Sequence, residues 1–384
     1  MVTGKQEQHT GRIRLGMVGG GNDAFIGGVH RIAARLDDKF ELIAGALSAT
    51  PEKARKSAEA LGLERIYDDF KQMAIREARL KSGIEAVSIV TPNHVHYAAA
   101  REFLKRGIHV ICDKPLTSTL SDAKKLVKAA ERSDALFVLT HNYTGYPMVR
   151  QARDMISNAE IGTIRVVQVE YPQDWLTEHQ DFKQAEWRTD PERSGAGGST
   201  GDIGTHAFNL ACFVSGLEVE SLAADLQAFV PGRKVDDNAH VFLRFHGGAR
   251  GMLWSSQVAP GNENALRLRV YGDKGGLEWS QEDPNYLWFT PYGEPKRLIT
   301  RNGSGAGDAA TRLGRVPPGH PEGYLEGFAN IYSEAAHAIE AHRAGRTCDS
   351  AVIYPTVQDG LKGVKFVAAC VQSSARNAAW VKLG

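Results

Sequence analysis

Residues 13–21, Ile13-Arg14-Leu15-Gly16-Met17-Val18-Gly19-Gly20-Gly21, decide how this chain is read. A short apolar run ends in three glycines, and an Ala/Arg-rich stretch with helical spacing follows. Strand, glycine turn and helix in that order are the context in which a G-x-G-x-x-G pattern cradles a dinucleotide. Gly19 allows the tight turn. Gly21 lets backbone N–H groups approach a pyrophosphate seated on the positive end of the next helix, with Asn22 and Phe25 beside it. The third position of the pattern is Ala24, an accepted substitute. The segment Phe25-Ile26-Gly27-Gly28 lengthens the turn before His30, which makes Gly27 a candidate for the glycine that packs helix on strand.

Working outward, apolar runs alternate with amphipathic stretches: FELIAGALS, PEKARKSAEALG, AVSIVTP (Ala86 to Pro92), HYAAAREFLKRG, HVICDKP, SDAKKLVKAAERS and ALFVLT. Five strands and about as many helices by Thr140 make one doubly wound parallel sheet, a Rossmann domain over residues 13–140, after a loose polar tail at 1–12. Beyond it the pattern changes. TIRVVQVEYPQ, SLAADLQAFV, NAHVFLRFHGG, ARGMLWSSQV and ALRLRVYGDKGGLEWS read as strands joined by short Gly-bearing turns. The fold class is therefore α/β plus α+β, with residues 141–384 built on a large, mostly antiparallel open sheet covered on one face by helices. The C-terminal helices are expected to pack partly back on the first domain. The open face implies a homodimer or homotetramer, because large apolar patches are uncommon on monomers. The Gly- and Pro-rich stretch Thr300 to Gly319 is expected to be a long loop near the site or the interface.

Composition limits the partners. The chain has 384 residues, too many for one ordinary core, and 46 basic against 45 acidic residues give a net charge of +1. That balance lacks the electrostatic footprint of a nucleic-acid binder. Cys112, Cys212, Cys348 and Cys370 are widely spaced with no CxxC pair, which argues against a disulfide framework or a zinc knuckle and for a reducing cytoplasm. No uncharged run approaches the roughly 20 residues of a membrane-spanning helix, and no HExxH or paired-His motif suggests a metal.

Where strand two ends, a carboxylate for the adenosine ribose is absent. Ser48, with Lys53 and Arg55 just beyond, supplies hydroxyl and positive charge suited to a 2′-phosphate, or else the two cations are only a solvated helix face. The expectation is NAD(P), leaning to NADP. Thr91-Pro92-Asn93-His94-Val95-His96 closes the third strand and Asp113-Lys114-Pro115 the fourth. Ligands of open α/β sheets bind outside the carboxyl ends of strands, so Thr91, Pro92, Asn93, His96, Asp113 and Lys114 should face the same crevice as the glycines.

TPNxxH followed about twenty residues later by a strand and carboxylate-Lys-Pro resembles the glucose–fructose oxidoreductase, inositol dehydrogenase and rhizopine catabolism (Gfo/Idh/MocA) family. The segment Gly197-Gly198-Ser199-Thr200-Gly201-Asp202-Ile203-Gly204-Thr205-His206 is similar to the family's glycine-rich D-x-G-x-H motif. The resemblance covers nearly the whole chain. It departs in carrying DKP for EKP and in placing Asn209 where many members have a second Asp.

The resemblance implies Lys114, Asp202 and His206 as catalytic residues, and elementary chemistry agrees. An alcohol losing hydride must also lose its hydroxyl proton, which His206 is suited to take. An ammonium at Lys114 stabilises a developing alkoxide, and Asp202 orients either group. If the segment is helical, Asp202 and His206 project from one face.

Aromatic plates and polar donors suited to a sugar or cyclitol come from Tyr143, Trp175, Lys183, Trp187, Arg188, His320 and Tyr324 in the second domain. The function expected is an NAD(P)-dependent oxidoreductase acting on a secondary alcohol or ketone of a sugar, sugar derivative or inositol. The alternatives are a glucose–fructose oxidoreductase-like enzyme that keeps NADP bound, and a non-catalytic sensor of dinucleotide or sugar. The sensor is disfavoured because all three catalytic residue types are present.

Overall fold

The computed structural model describes residues 11–22, 24–180 and 188–384. In the first half, β1 (Ile13–Gly19), β2 (Phe40–Ala46), β3 (Arg65–Ile66), β4 (Ala86–Val90), β5 (His109–Cys112) and β6 (Phe137–Leu139) form one parallel sheet in the order β3-β2-β1-β4-β5-β6. Its strands are buried nearly throughout, as expected of a sheet covered on both faces. The covering helices are α1 (Phe25–Leu36), α2 (Pro51–Ala60), α3 (Phe70–Glu77), α4 (Asn93–Leu104) and α5 (Leu120–Glu131). Sequence reading passes over β3 and α3. β3 is two residues long, too short to show a period, although Asp69 caps α3 by accepting from the backbone of Lys71 and Gln72.

Register decides where chemistry can gather. Gly19 lies opposite Val90, and Ile89 opposite Cys112, so the segments that follow β1, β4 and β5 leave the sheet at one level. The strand order reverses between β1 and β4, the switch point where α/β sheets open a crevice.

After α6 (Pro147–Ser157) comes a nine-stranded sheet. Its strands are β7 (Ile164–Pro172), β8 (Val219–Gln227), β9 (Asn238–Phe245), β10 (Arg250–Ser256), β11 (Arg267–Gly272), β12 (Gly275–Ser280), β13 (Tyr286–Pro291), β14 (Arg297–Thr300) and β15 (Val381–Lys382). The order is β14-β13-β12-β11-β7-β10-β9-β8-β15, antiparallel except for the β7–β10 pair. α7 (Thr205–Ser215) and α6 bury one face. The other face is open, and strand alternation sends His240, Phe242 and Arg244 of β9 outward between buried neighbours.

Two C-terminal helices tie the halves together. α8 (Tyr324–Arg343) buries Phe328, Ile331, Tyr332 and Ala335 against Val29, Ala33 and Phe40 of the parallel-sheet half. α9 (Val357–Ser374) sets Val357 and Val364 among the residues of that half, while Phe366 stacks on Phe208 of α7 in the other core. The stretch Thr300 to Gly319 carries one helical turn, Asp308–Thr311, and no residue in it lines the interdomain cleft. Of the two places expected for it, site or interface, the structure rules out a place in the lining of the cleft. Arg301 is held by Glu322, and Arg315 pairs with Asp37 at the end of α1, so this loop braces the two halves away from the cleft.

Candidate active site

A cleft of about 1200 Å³ runs from the glycine turn to the polar end of the nine-stranded sheet. Gly19 and Gly20 have positive φ, 75° and 69°, a region costly to any residue with a Cβ. Gly27 packs so tightly that a Cβ there would lie 2.3 Å from the Gly20 carbonyl oxygen. It is thus the packing glycine, one turn later than the usual pattern places it. Ala24 caps α1 without any side-chain bond, and no acidic residue occupies the first turn. Among the described residues no side chain covers the positive helix end, which faces the cleft, a fit for a pyrophosphate.

Gly19, Gly21, Asn22, Ala24, Phe25, Ser48, Lys53, Thr91, Pro92, Asn93, Asp113 and Lys114 all line the cleft. His96 does not, which corrects its reading as a cofactor contact. Its ring is wholly buried, with one nitrogen 2.9 Å from the Thr91 carbonyl and the other 2.9 Å from that of Pro115. It ties the end of β4 to the end of β5. Asp113 likewise serves its own turn, accepting from the Lys114 backbone N–H and the Thr140 hydroxyl. Burial pushes its carboxyl up, but His30, Lys114 and His96 outweigh that and bring it to about 2.

Lys114 crosses from the first domain to the second. Its Nζ donates to Asp202 Oδ1 at 2.9 Å and to the Asp202 carbonyl at 2.7 Å, leaving one of its three N–H bonds uncommitted to that residue. Asp202 sits in a wide π-type turn, Thr200–Gly204, that leads directly into α7. Its other oxygen accepts from Arg188 Nε at 3.1 Å and from Gln257 Nε2 at 3.0 Å. Burial alone would raise this carboxyl, yet Lys114 and Arg188 hold it well below the carboxylate range, so it stays ionised.

His206 opens the first turn of α7, buried among aromatic rings. Tyr143 lies 4.9 Å and His141 5.4 Å from it, edge to face. Burial, then the charge of Lys114, keep the imidazole neutral far below its ordinary range. Its Nδ1 is buried with no hydrogen-bond partner among the described residues. A buried polar atom left open in a cleft is what a ligand or ordered water would satisfy.

Tyr143, Trp175, Arg188 and Tyr324 line the same cleft, and Arg188 lies over the Trp175 ring at 5.9 Å. His320 does not reach it. The residue is exposed, and its backbone is held within the loop, the carbonyl accepting from Arg301 and the N–H donating to the Pro317 carbonyl, because the loop that carries it turns toward the brace described above. Lys183 and Trp187 lie outside the described residues.

Sequence reading misses a polar floor centred on Asn264. Its Oδ1 accepts from Tyr171 OH and Gln173 Nε2, both at 2.7 Å, and its Nδ2 donates to Gln281 at 3.2 Å. These residues come from β7 and from the segments flanking β11 and β12, and no short motif links them. Only the pairing of β11 with β7 and with β12 brings them level. Among the described residues no group of three or more His, Cys, Asp and Glu side chains could hold a metal, and no helix is long and apolar enough to cross a membrane.

Residues 13–143 match the oxidoreductase-family model of an NAD-binding Rossmann fold, and residues 149–278 the GFO/IDH/MocA C-terminal domain. An oxidoreductase of known structure from Sinorhizobium meliloti is 70% identical, with a TM-score of 0.90 covering 97% of this chain and 99% of that one. An inositol dehydrogenase homolog from Azotobacter vinelandii, solved with NADH and myo-inositol, is 35% identical with a TM-score of 0.91, covering 97% and 98%. The levoglucosan dehydrogenase of Pseudarthrobacter phenanthrenivorans is 27% identical over 410 residues, 96% of this chain and 97% of its own.

Proposed function

The chain belongs to the GFO/IDH/MocA oxidoreductase family, with an NAD-binding Rossmann domain, and from that premise we propose that it oxidises or reduces one carbinol carbon of a sugar, sugar derivative or inositol. The observation that carries the reading is the meeting of Lys114 from one domain with Asp202 and His206 from the other, in the cleft that begins at the glycine turn. When bound, the nicotinamide accepts or returns a hydride. The protein does the rest. Neutral His206 takes the hydroxyl proton as the hydride leaves, and it returns that proton in the reverse direction. The Lys114 ammonium lowers the energy of the developing alkoxide, or polarises the carbonyl when the reaction runs backward. Asp202 holds the ammonium in place through two oxygen contacts and is itself fixed by Arg188 and Gln257. Asn264 and its partners present hydroxyl and amide groups to the remaining substrate hydroxyls.

For the dinucleotide, the missing carboxylate after β2 and the presence of Lys53 and Ser48 in the cleft favour NADP, while the relative above was solved with NADH. We also propose that the open sheet face meets a second copy of the chain. It exposes Phe242, Tyr286, Trp288 and Leu298, an apolar set unusual for a surface left in water.

The test is a panel of myo-inositol, glucose, galactose and levoglucosan with NAD+ and with NADP+, followed at the nicotinamide absorbance band. At least one member is turned over by the wild type. Lys114→Met and His206→Ala lose on the order of 100-fold or more in kcat while NADH still binds. Turnover by either variant within a few-fold of wild type would refute the assignment.

A further inference from the structure

The glycine-rich segment before Asp202 is shaped by a residue that no motif marks. Asp236 lies just before β9, 8% exposed, with no cationic partner among the described residues. Its Oδ1 accepts from the Gly198 N–H at 2.8 Å. Its Oδ2 accepts from the Thr200 N–H at 2.8 Å and the Thr200 hydroxyl at 2.7 Å. Its own carbonyl accepts from the Ser199 N–H at 2.8 Å. Four bonds from one residue thus bind three consecutive residues of the turn that carries Asp202. The next link is direct, since the Asp202 N–H donates to the Gly198 carbonyl at 2.8 Å.

The glycine of this segment is explained by the same contact. A Cβ on Gly198 would lie 2.0 Å from the Asp236 carbonyl oxygen, closer than any side chain could come. The neighbouring Asp237 adds a second brace. Its carbonyl accepts from the Gln257 N–H at 2.8 Å, and Gln257 in turn holds Asp202 Oδ2.

We propose that Asp236 is a positioning residue, whose carboxylate seats the Gly198–Thr200 turn and so sets where Asp202 and His206 stand relative to Lys114. The inference rests on the catalytic reading of those three residues. A buried carboxylate without a cation is costly, and burial pushes the Asp236 carboxyl above its ordinary range. Three charge-assisted bonds onto one turn are the return that keeps it there. Because the turn leads straight into α7, its seat fixes the start of the helix that begins with Thr205 and His206.

Three variants test it: Asp236→Asn, Thr200→Val, which deletes only the hydroxyl bond, and Thr200→Ser, which keeps it. Each is assayed with the best substrate of the panel for kcat, NADH affinity, thermal midpoint and the primary deuterium isotope effect on kcat. Asp236→Asn is expected to lower kcat about tenfold or more and Thr200→Val several-fold, with NADH affinity within about two-fold of wild type. Both should raise the isotope effect, since a misplaced Asp202 and His206 slow the bond-breaking step itself. Thr200→Ser should behave as wild type. If Asp236→Asn fails to fold, the Thr200 pair still decides.

Wild-type kcat and isotope effect in Thr200→Val overturn the inference, as does a loss of NADH affinity as large as the loss of kcat. Should Lys114→Met and His206→Ala remain inactive while the Asp236 and Thr200 variants are normal, only this inference falls. If Lys114→Met and His206→Ala are themselves active, or no panel member is turned over, the reading of the whole site falls with it.

Discussion

Replacing Gly27 by Ala tests the cofactor half of the cleft at one atom. The added Cβ would stand 2.3 Å from the Gly20 carbonyl oxygen, 2.5 Å from its Cα and 2.7 Å from its carbonyl carbon, whereas ordinary contact begins at 3.4 Å. All three neighbours are backbone, so no rotamer change relieves the clash. Either α1 withdraws by about 1 Å or the glycine turn deforms, at a cost of about 1–3 kcal/mol in stability. Both outcomes move the N–H groups at the start of α1 away from the place where a pyrophosphate would sit. They also disturb the bond that Arg31 donates to the Gly20 carbonyl. NADH affinity, read by fluorescence titration, should fall about tenfold or more, with a thermal midpoint several degrees lower. The control is one residue away. A Cβ on Gly28 meets nothing nearer than the Arg31 guanidinium at 4.0 Å, so Gly28→Ala should be neutral or stabilising by up to about 1 kcal/mol. If Gly27→Ala binds NADH as wild type does, or if the two alanines behave alike, the packing argument is wrong.

Two further outcomes follow from the electrostatics. Since burial, Lys114 and His141 hold His206 neutral well below 6.5, its proton-accepting form persists as pH falls through that value. The kcat/KM for oxidation should therefore show no acid limb at pH 6.5, and an inflection there or above would mean the imidazole titrates normally. Lys53→Ala should weaken NADP+ binding about five- to tenfold and leave NAD+ within about two-fold, because only the 2′-phosphate meets that ammonium. Equal losses for both dinucleotides would show that Lys53 meets a part they share, and no loss for either that it faces solvent.

Much of this protein could be read locally. The glycine turn, Lys114 just past β5 and the Asp202–His206 spacing are each contained in a few consecutive residues, and all of them line the cleft, although Asp202 lies in the π-type turn ahead of α7 and not in the α-helix itself. The apolar runs of β1, β4 and β5 and the alternation in β9 carried the two sheet types. Other features could not be read that way. β3 is too short to have a period, and the β13–β14 hairpin carries polar and aromatic residues on both of its faces. His96 and His320 looked like site residues by position, yet each was assigned elsewhere by what packs around it.

Neighbouring residues carry strand period, glycine conformation and short spacings, so the class of fold, the glycine turn of the NAD-binding Rossmann domain and the Asp202–His206 spacing were legible from sequence alone. The company those groups keep was settled by long-range packing. The Asn264 floor depends on the register of β7, β11 and β12, and the seat of Asp202 on Asp236 and Gln257. The neutrality of His206 depends on burial beside an ammonium from the other domain, 92 residues earlier in the chain. Such contacts join positions far apart in sequence, and they are fixed by the packing of two sheets and the helices that bridge them.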